Sequence, residues 1–191
     1  LRANGFEVVH IPSQVCCGAL HSHAGAADDA RALARENVRA FGAADVDFIA
    51  SNAAGCGAAM KGYGHLLETD VALADGAQAV GARVRDLSEL LAMAGPRRGA
   101  PMEVTVTCDS PCHLEHAQGI TKEPLDMLRA VPSVQLIPLA GASECCGGAG
   151  IYGITHPELG GKIGGDKVDA VLATGAALVA TSNPGCMMQI G

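Results

Sequence analysis

Glu144-Cys145-Cys146-Gly147-Gly148 and its near twin Val15-Cys16-Cys17-Gly18 decide how this chain is read. Four of the eight cysteines stand in these two words. Neighbouring cysteines seldom bridge each other, because a disulfide needs Cα atoms further apart and a dihedral that a trans peptide resists. A pair followed by glycine suits thiolates offered to a metal centre, since glycine lets backbone N–H groups approach the sulfurs. Two further cysteines extend the pattern. Cys56 follows Cys17 at nearly the spacing at which Cys186 follows Cys146, in the matching words Ser51-Asn52-Ala53-Ala54-Gly55-Cys56 and Ser182-Asn183-Pro184-Gly185-Cys186.

Around these words the residues alternate between strand and helix signals. Phe6 to Ile11, Val46 to Ala50, Glu103 to Thr107, Val134 to Ile137 and Ala177 to Thr181 read as short strands, with another at Arg83 to Arg85. Residues 26 to 41 carry Ala30, Leu33, Ala34, Val38 and Phe41 at helical spacing, with Asp28 and Asp29 in the first turn. Helices are also expected over 58–67, 70–80, 87–93, from Pro111 to about Ala130, and within 157–172. Cys112 then opens a helix, where the positive dipole end is expected to lower its thiol pKa. Gly95-Pro96-Arg97-Arg98-Gly99-Ala100-Pro101 is a linker dense in breakers.

The fold class expected is α/β, in two similar cysteine-rich units, 1–95 and 102–191, each a short, mostly parallel sheet flanked by helices. Leu128-Arg129-Ala130, a strand and a cysteine pair match Leu1-Arg2-Ala3, a strand and a pair. By this repeat the first unit is truncated at its N-terminus and lacks a strand, a helix and a counterpart of Cys112.

Composition narrows the function classes. The 191 residues are 49% hydrophobic, with no Trp, two Tyr and three Phe, so the core must rely on small residues. A formal charge of −7 with 13 Lys and Arg, and no basic stripe, argues against nucleic acid. A disulfide framework belongs to small secreted chains, so reduced, metal-binding cysteines in the cytoplasm are expected. The charge-free run from Ala170 to Gly191 is interrupted by Ser182, Asn183, Pro184 and Gly185, and is too short to span a bilayer.

The second unit supplies Cys112, Cys145, Cys146 and Cys186 as candidate metal ligands, the first Cys16, Cys17 and Cys56. Four thiolates are the ligand set of an iron-sulfur cluster or of structural zinc, although zinc sites usually draw on Cys-x-x-Cys knuckles, which are absent. Cys108 reads as a strand-end core cysteine. His21, His23, His113 and His116 flank the cysteine loops; they could donate to cluster sulfurs, but such histidines are more often on the surface or structurally satisfied. Gly148-Ala149-Gly150-Ile151-Tyr152-Gly153 matches a dinucleotide fingerprint in form but does not directly follow a strand, and reads as a loop around the thiolates. No hydrolytic constellation is present, so no catalytic residue is assigned.

The words Cys16-Cys17-Gly18-Ala19-Leu20-His21, Asn52-Ala53-Ala54-Gly55-Cys56-Gly57, Asp109-Ser110-Pro111-Cys112-His113-Leu114 with His116-Ala117-Gln118, and Cys145-Cys146-Gly147 resemble the tandem cysteine-rich CCG domains of glycolate oxidase iron-sulfur subunits. The match runs over nearly the whole chain. Lactate-utilisation proteins, anaerobic glycerol-3-phosphate dehydrogenase and heterodisulfide reductase have similar domains and stand as alternatives, with a non-redox zinc scaffold as the other class. The resemblance implies an electron-transfer subunit, not catalytic alone, that holds an iron-sulfur cluster, 4Fe-4S first among the types. Its electrons would come from FAD on a partner glycolate oxidase subunit and pass towards the membrane quinone pool, which places it in the cytoplasm or peripherally at the inner face of the cell membrane. The family's ferredoxin-like Cys-x-x-Cys-x-x-Cys segments do not occur in this sequence. Heterodisulfide reductase-like domains end in Cys-x-x-Cys, whereas Ala59 and Gln189 stand three residues after Cys56 and Cys186, so no five-cysteine site is implied.

Overall fold

The computed structural model describes all of residues 1–191. After a 3₁₀ turn at Arg2–Asn4 come α1 (Ala19–His23), α2 (Ala27–Gly42), β1 (Ile49–Ser51), α3 (Ala54–Lys61), α4 (Tyr63–Leu66), α5 (Ala74–Arg83), β2 (Val84–Asp86) and α6 (Leu87–Ala94). The chain continues through β3 (Val104–Cys108), α7 (Cys112–Gln118), α8 (Glu123–Ala130), β4 (Val134–Ile137), α9 (Ile151–Thr155), α10 (Pro157–Ala173), β5 (Leu178–Ala180) and α11 (Pro184–Ile190). It is a mixed α/β fold with two small parallel sheets, as the alternation of strand and helix signals implies. Parallel pairing requires crossovers, and helices supply them.

β1 pairs with β2, Ile49 opposite Val84 and Ser51 opposite Asp86. In the second sheet β3 lies between β4 and β5, Val106 opposite both Leu136 and Leu178. All partners run the same way, so the loops that leave their C-terminal ends, which carry the cysteines, gather on one side of each sheet.

The two sheets are packed differently. Ala34, Val38 and Phe41 of α2, Ile49, Met60, Tyr63, Leu67, Ala77, Val80 and Val84 form one apolar core around the first. The second has no comparable core. Thr107, Asp109 and Lys167 are buried there beside Val106, Cys146 and Cys186, while Leu178 and Val179 of β5 stay exposed. Its interior is organised by polar contacts and sulfur.

Several expected elements change. Phe6 to Ile11 is extended but belongs to no sheet. A groove of about 730 Å³ separates it from β1, with Cys16, Cys17 and Cys56 also on the wall. In the second sheet the corresponding place, between β4 and β5, is held by β3; without such a neighbour the backbone of 6–11 has nothing to pair with. The single helix expected from Pro111 to Ala130 is two, because Gly119 takes the left-handed conformation (φ 70°) and caps α7. The expected helix over 58–67 begins earlier, at Ala54, and pauses at Gly62, so Cys56 lies inside α3 rather than in the loop before it.

The sheets meet through the elements that carry cysteines. The Ala54 N–H donates to Ser182 O (3.2 Å), the Gln118 Nε2 donates to Ala54 O (2.9 Å), and Ala54, Leu114 and Ile120 form a small shared core. Around this contact α3 packs on α7.

Candidate metal centre

Four thiols converge in the second half. Cys146 and Cys186 are 5% and 3% exposed, with their sulfurs 3.1 Å apart. Cys145 is exposed, and its sulfur accepts from the Gly147 N–H (3.3 Å). Cys112, half-buried, feels the charges of Cys145 and Cys146. The Asn183 Nδ2 donates to the Cys186 sulfur (3.4 Å), and His113 Nδ1 lies 3.6 Å from that of Cys112.

Cys16, Cys17 and Cys56 come together in the same manner. Cys17 and Cys56 perturb each other's titration in opposite directions, as Cys146 and Cys186 do, and Cys16 acts on both. Cys56 and Cys186 each follow a strand and occupy the first turn of a helix, behind a glycine.

Corresponding residues hold the two cysteine pairs. Gly18 (φ 82°) and Gly147 (φ 83°) both turn the chain left-handed just after a pair, and both lie against the long helix that follows, Gly18 on Ala30 of α2 and Gly147 on Gly160 and Gly164 of α10. Asn37 stands relative to the start of α2 as Lys167 does to the start of α10. Asn37 is 1% exposed; it accepts from the Val15 N–H (2.9 Å) and donates to Cys16 O and the Tyr63 hydroxyl (both 3.0 Å), which in turn donates to Cys17 O (3.0 Å). Lys167, 4% exposed, donates to Gly141 O (2.7 Å) and Ala142 O (3.3 Å), in the loop before Cys145, and pairs with Asp109 (3.0 Å). Each long helix thus sends one buried polar side chain down to fix a thiol loop. Neither residue figured among the sequence candidates; aligning the two helices from the cysteine pairs would have matched them.

Two local expectations are corrected. Cys112 does open a helix, but its thiol is raised rather than lowered, first by burial and then by the charges on Cys145 and Cys146. Asn52 and Asn183 are not equivalent: Asn183 immediately precedes the first residue of α11, a place taken before α3 by Ala53. The extra alanine in Asn52-Ala53-Ala54-Gly55-Cys56 displaces Asn52 by one residue, and it lies exposed on the wall of both cavities.

Cys108 lines a different space, a cavity of about 630 Å³ bounded by α6, α7, α8 and the ends of β3 and β5, and burial raises its thiol to about 11. The histidines divide. His23 and His113 face each other across the two halves with ring centroids 5.4 Å apart, and burial first, then His23, lowers His113. His116 lies 3.3 Å from Ser143 O, and His21 Nδ1 is buried without a partner.

The thiols of each pair move in opposite directions. Cys146 is lowered to about 6 by the hydrogen bond from Cys186, and Cys56 to about 7 by that from Cys17, while Cys186 and Cys17 are raised. Cys56 is the accessible member of the lowered two. In metal-free protein its alkylation rate should therefore rise through about pH 7, and Cys17→Ala should move that midpoint up towards the ordinary thiol value. Mass spectrometry after iodoacetamide pulses reads both.

The donor set of the second half is sulfur throughout. No group of three or more His, Cys, Asp or Glu side chains is drawn to the spacing of one metal ion. The 3.1 Å between Cys146 and Cys186 is shorter than the ~3.8 Å that two thiolates with ~2.3 Å bonds take around one tetrahedral ion, so the pair would have to part to ligate a metal. Four thiolates delivered by three loops are the ligand set of an iron-sulfur cluster.

Comparison with known proteins agrees with the repeated geometry. The chain is 37% identical over 193 residues to the probable glycolate oxidase iron-sulfur subunit of Bacillus subtilis, covering 100% of this chain and 44% of that protein. It is 32% identical over 196 residues to the glycolate oxidase iron-sulfur subunit of Escherichia coli, covering 97% and 46%. Lactate utilization protein A of Bacillus subtilis is 27% identical over 193 residues, covering 100% and 80%. The chain thus spans less than half the length of both glycolate oxidase relatives. The family model of the CCG cysteine-rich domain matches residues 1–61 and 106–191, the two stretches in which a left-handed glycine, a buried helix side chain and a later cysteine surround a thiol pair: the chain belongs to the CCG cysteine-rich domain family.

Proposed function

We propose that the chain is the cysteine-rich part of the electron-transfer subunit of a glycolate, or closely related 2-hydroxy-acid, oxidase. The observation that carries the reading is the gathering of Cys112, Cys145, Cys146 and Cys186 from three loops beside a parallel sheet. These four would hold one iron-sulfur cluster, 4Fe-4S being the type that the family resemblance favours, and Cys16, Cys17 and Cys56 three positions of a second. A bound cluster supplies one-electron storage. The protein's part is to hold the sulfurs, to direct the Gly147 N–H at Cys145 and the Asn183 amide at Cys186, and to keep water from the buried Cys146–Cys186 pair. In this reading the thiolates are taken up as cluster ligands, so substrate oxidation would fall to a flavin-bearing partner subunit, with electrons leaving towards quinone. No helix is long and apolar enough to cross the membrane; delivery of electrons towards quinone would bring the protein to the membrane from the cytoplasmic side.

In this reading the units are 1–95 and 102–191, and the groove beside Phe6 to Ile11 corresponds to the place that β3 takes between β4 and β5 in the second sheet.

The functional test is electron acceptance. Iron-loaded protein, mixed anaerobically with the flavin subunits and glycolate, should lose its visible absorbance at a rate compatible with turnover. Bleaching by lactate alone would move the assignment to lactate utilisation, and no bleaching by either would reject electron transfer from a hydroxy-acid flavoprotein.

A further inference from the structure

Asn183 stands where a helix N-cap normally bonds its own first turn, yet it makes no such bond. Its carboxamide oxygen, the atom a cap would use, is engaged outside the helix, and its nitrogen on a side chain of the first turn. The oxygen accepts from the N–H of Gly55, next to Cys56 in the first half, at 3.3 Å, and the nitrogen donates to the sulfur of Cys186 in the second, at 3.4 Å. This pair of partners fixes the orientation of the amide: turned over, its NH₂ would confront the Gly55 N–H, a donor, and the Cys186 sulfur would lose the N–H that it accepts. Gly185 leaves the room, since a Cβ there would come within 3.3 Å of Asn183 Nδ2. A cap surrendered at one helix for contacts with two thiol sites is a local rule broken to a purpose.

We propose that Asn183 is a positioning residue that couples the two thiol sites, holding the first turn of the Cys56 helix with one end and the Cys186 sulfur with the other. The inference deepens the iron-sulfur reading and rests on it for its second half only. The coupling is one-sided, because Ala53, which precedes α3 as Asn183 precedes α11, has no amide to return. Ser182 O and Gln118 anchor Ala54 nearby, so removing the carboxamide loosens the Gly55–Cys56 turn without separating the halves.

Two substitutions separate the ends. Asn183→Asp keeps an acceptor for Gly55 and loses the donor to sulfur; Asn183→Ala loses both; Asn52→Ala is the control. In metal-free protein, hydrogen exchange at the Gly55 and Cys56 amides should quicken roughly fivefold in Asn183→Ala, the ordinary worth of one hydrogen bond, and stay near wild type in Asn183→Asp and Asn52→Ala. In reconstituted protein, both substitutions at 183 should lower the reduction potential of the second site, whereas the spectrum of the first should change in Asn183→Ala alone. Unchanged exchange at Gly55, or uniform quickening along the chain, would overturn the coupling. If the wild type takes up no iron and sulfide, the cluster reading fails while the exchange result still decides the link.

Discussion

Lys167→Met is expected to destabilise the protein by about 3–5 kcal/mol in urea denaturation, the cost of removing one partner from a buried ion pair. Lys167 and Asp109 have side chains 2% and 1% exposed and lie 3.0 Å apart. Asp109 Oδ2 is also bonded by Thr181, but Oδ1 has only the ammonium, so methionine strands a carboxylate in the interior. The same change frees Gly141 O and Ala142 O, and with them the loop that brings Cys145 and Cys146 to the site. Asn at 109 keeps an acceptor for Thr181 and removes the charge, so Lys167→Met/Asp109→Asn should recover most of the loss. A loss below about 1 kcal/mol for the single variant would mean that the pair does not organise the second half.

Gly147→Ala should be nearly as damaging, and Gly18→Ala distinctly milder, although both glycines follow a cysteine pair. Each is left-handed, which costs a residue with a Cβ roughly 1–2 kcal/mol. The difference lies in what the new methyl meets. At 147 it would overlap Gly160 O and come within 2.7 Å of Gly164 N, both backbone atoms of α10 that move only if the helix moves. At 18 the nearest atom is Ala30 O at 3.2 Å, a contact relieved by a small shift. Adding about 1–3 kcal/mol of overpacking at 147 gives a total of about 2–5 kcal/mol there, against about 1–2 at 18. Iron uptake after reconstitution should fall at the second site in Gly147→Ala and persist at both in Gly18→Ala.

Much of the site was legible because its signal repeats. A cysteine pair, a glycine and a later cysteine behind a strand recur with nearly equal spacing, and the structure brings the members of each set together. The parts that were not legible depend on partners distant in sequence. Lys167 lies in Gly164-Gly165-Asp166-Lys167, which reads as a solvated helix face, and only Asp109 and the Gly141–Ala142 carbonyls make it interior. Asn37 likewise falls on the apolar face of α2, where its acceptors, Cys16 O and the Tyr63 hydroxyl, cannot be foreseen from the helical pattern. Phe6 to Ile11 has the composition of a strand, but a strand exists only when a neighbour pairs with it. Gly119 was a breaker in plain view within an otherwise good helical run, and the left-handed cap it forms prevailed over the propensity of its flanks.

Anaerobic reconstitution with iron and sulfide, followed by metal and sulfide analysis and electron paramagnetic resonance of the reduced protein, tests most directly whether these thiols hold iron-sulfur clusters. Wild type should take up iron and acid-labile sulfide in equal amounts and give a paramagnetic signal on reduction. That signal should weaken in Cys186→Ala and Cys146→Ala and survive in Cys108→Ala. Tight binding of zinc without sulfide, or a signal lost only with Cys108, would contradict the assignment of Cys112, Cys145, Cys146 and Cys186 to a cluster.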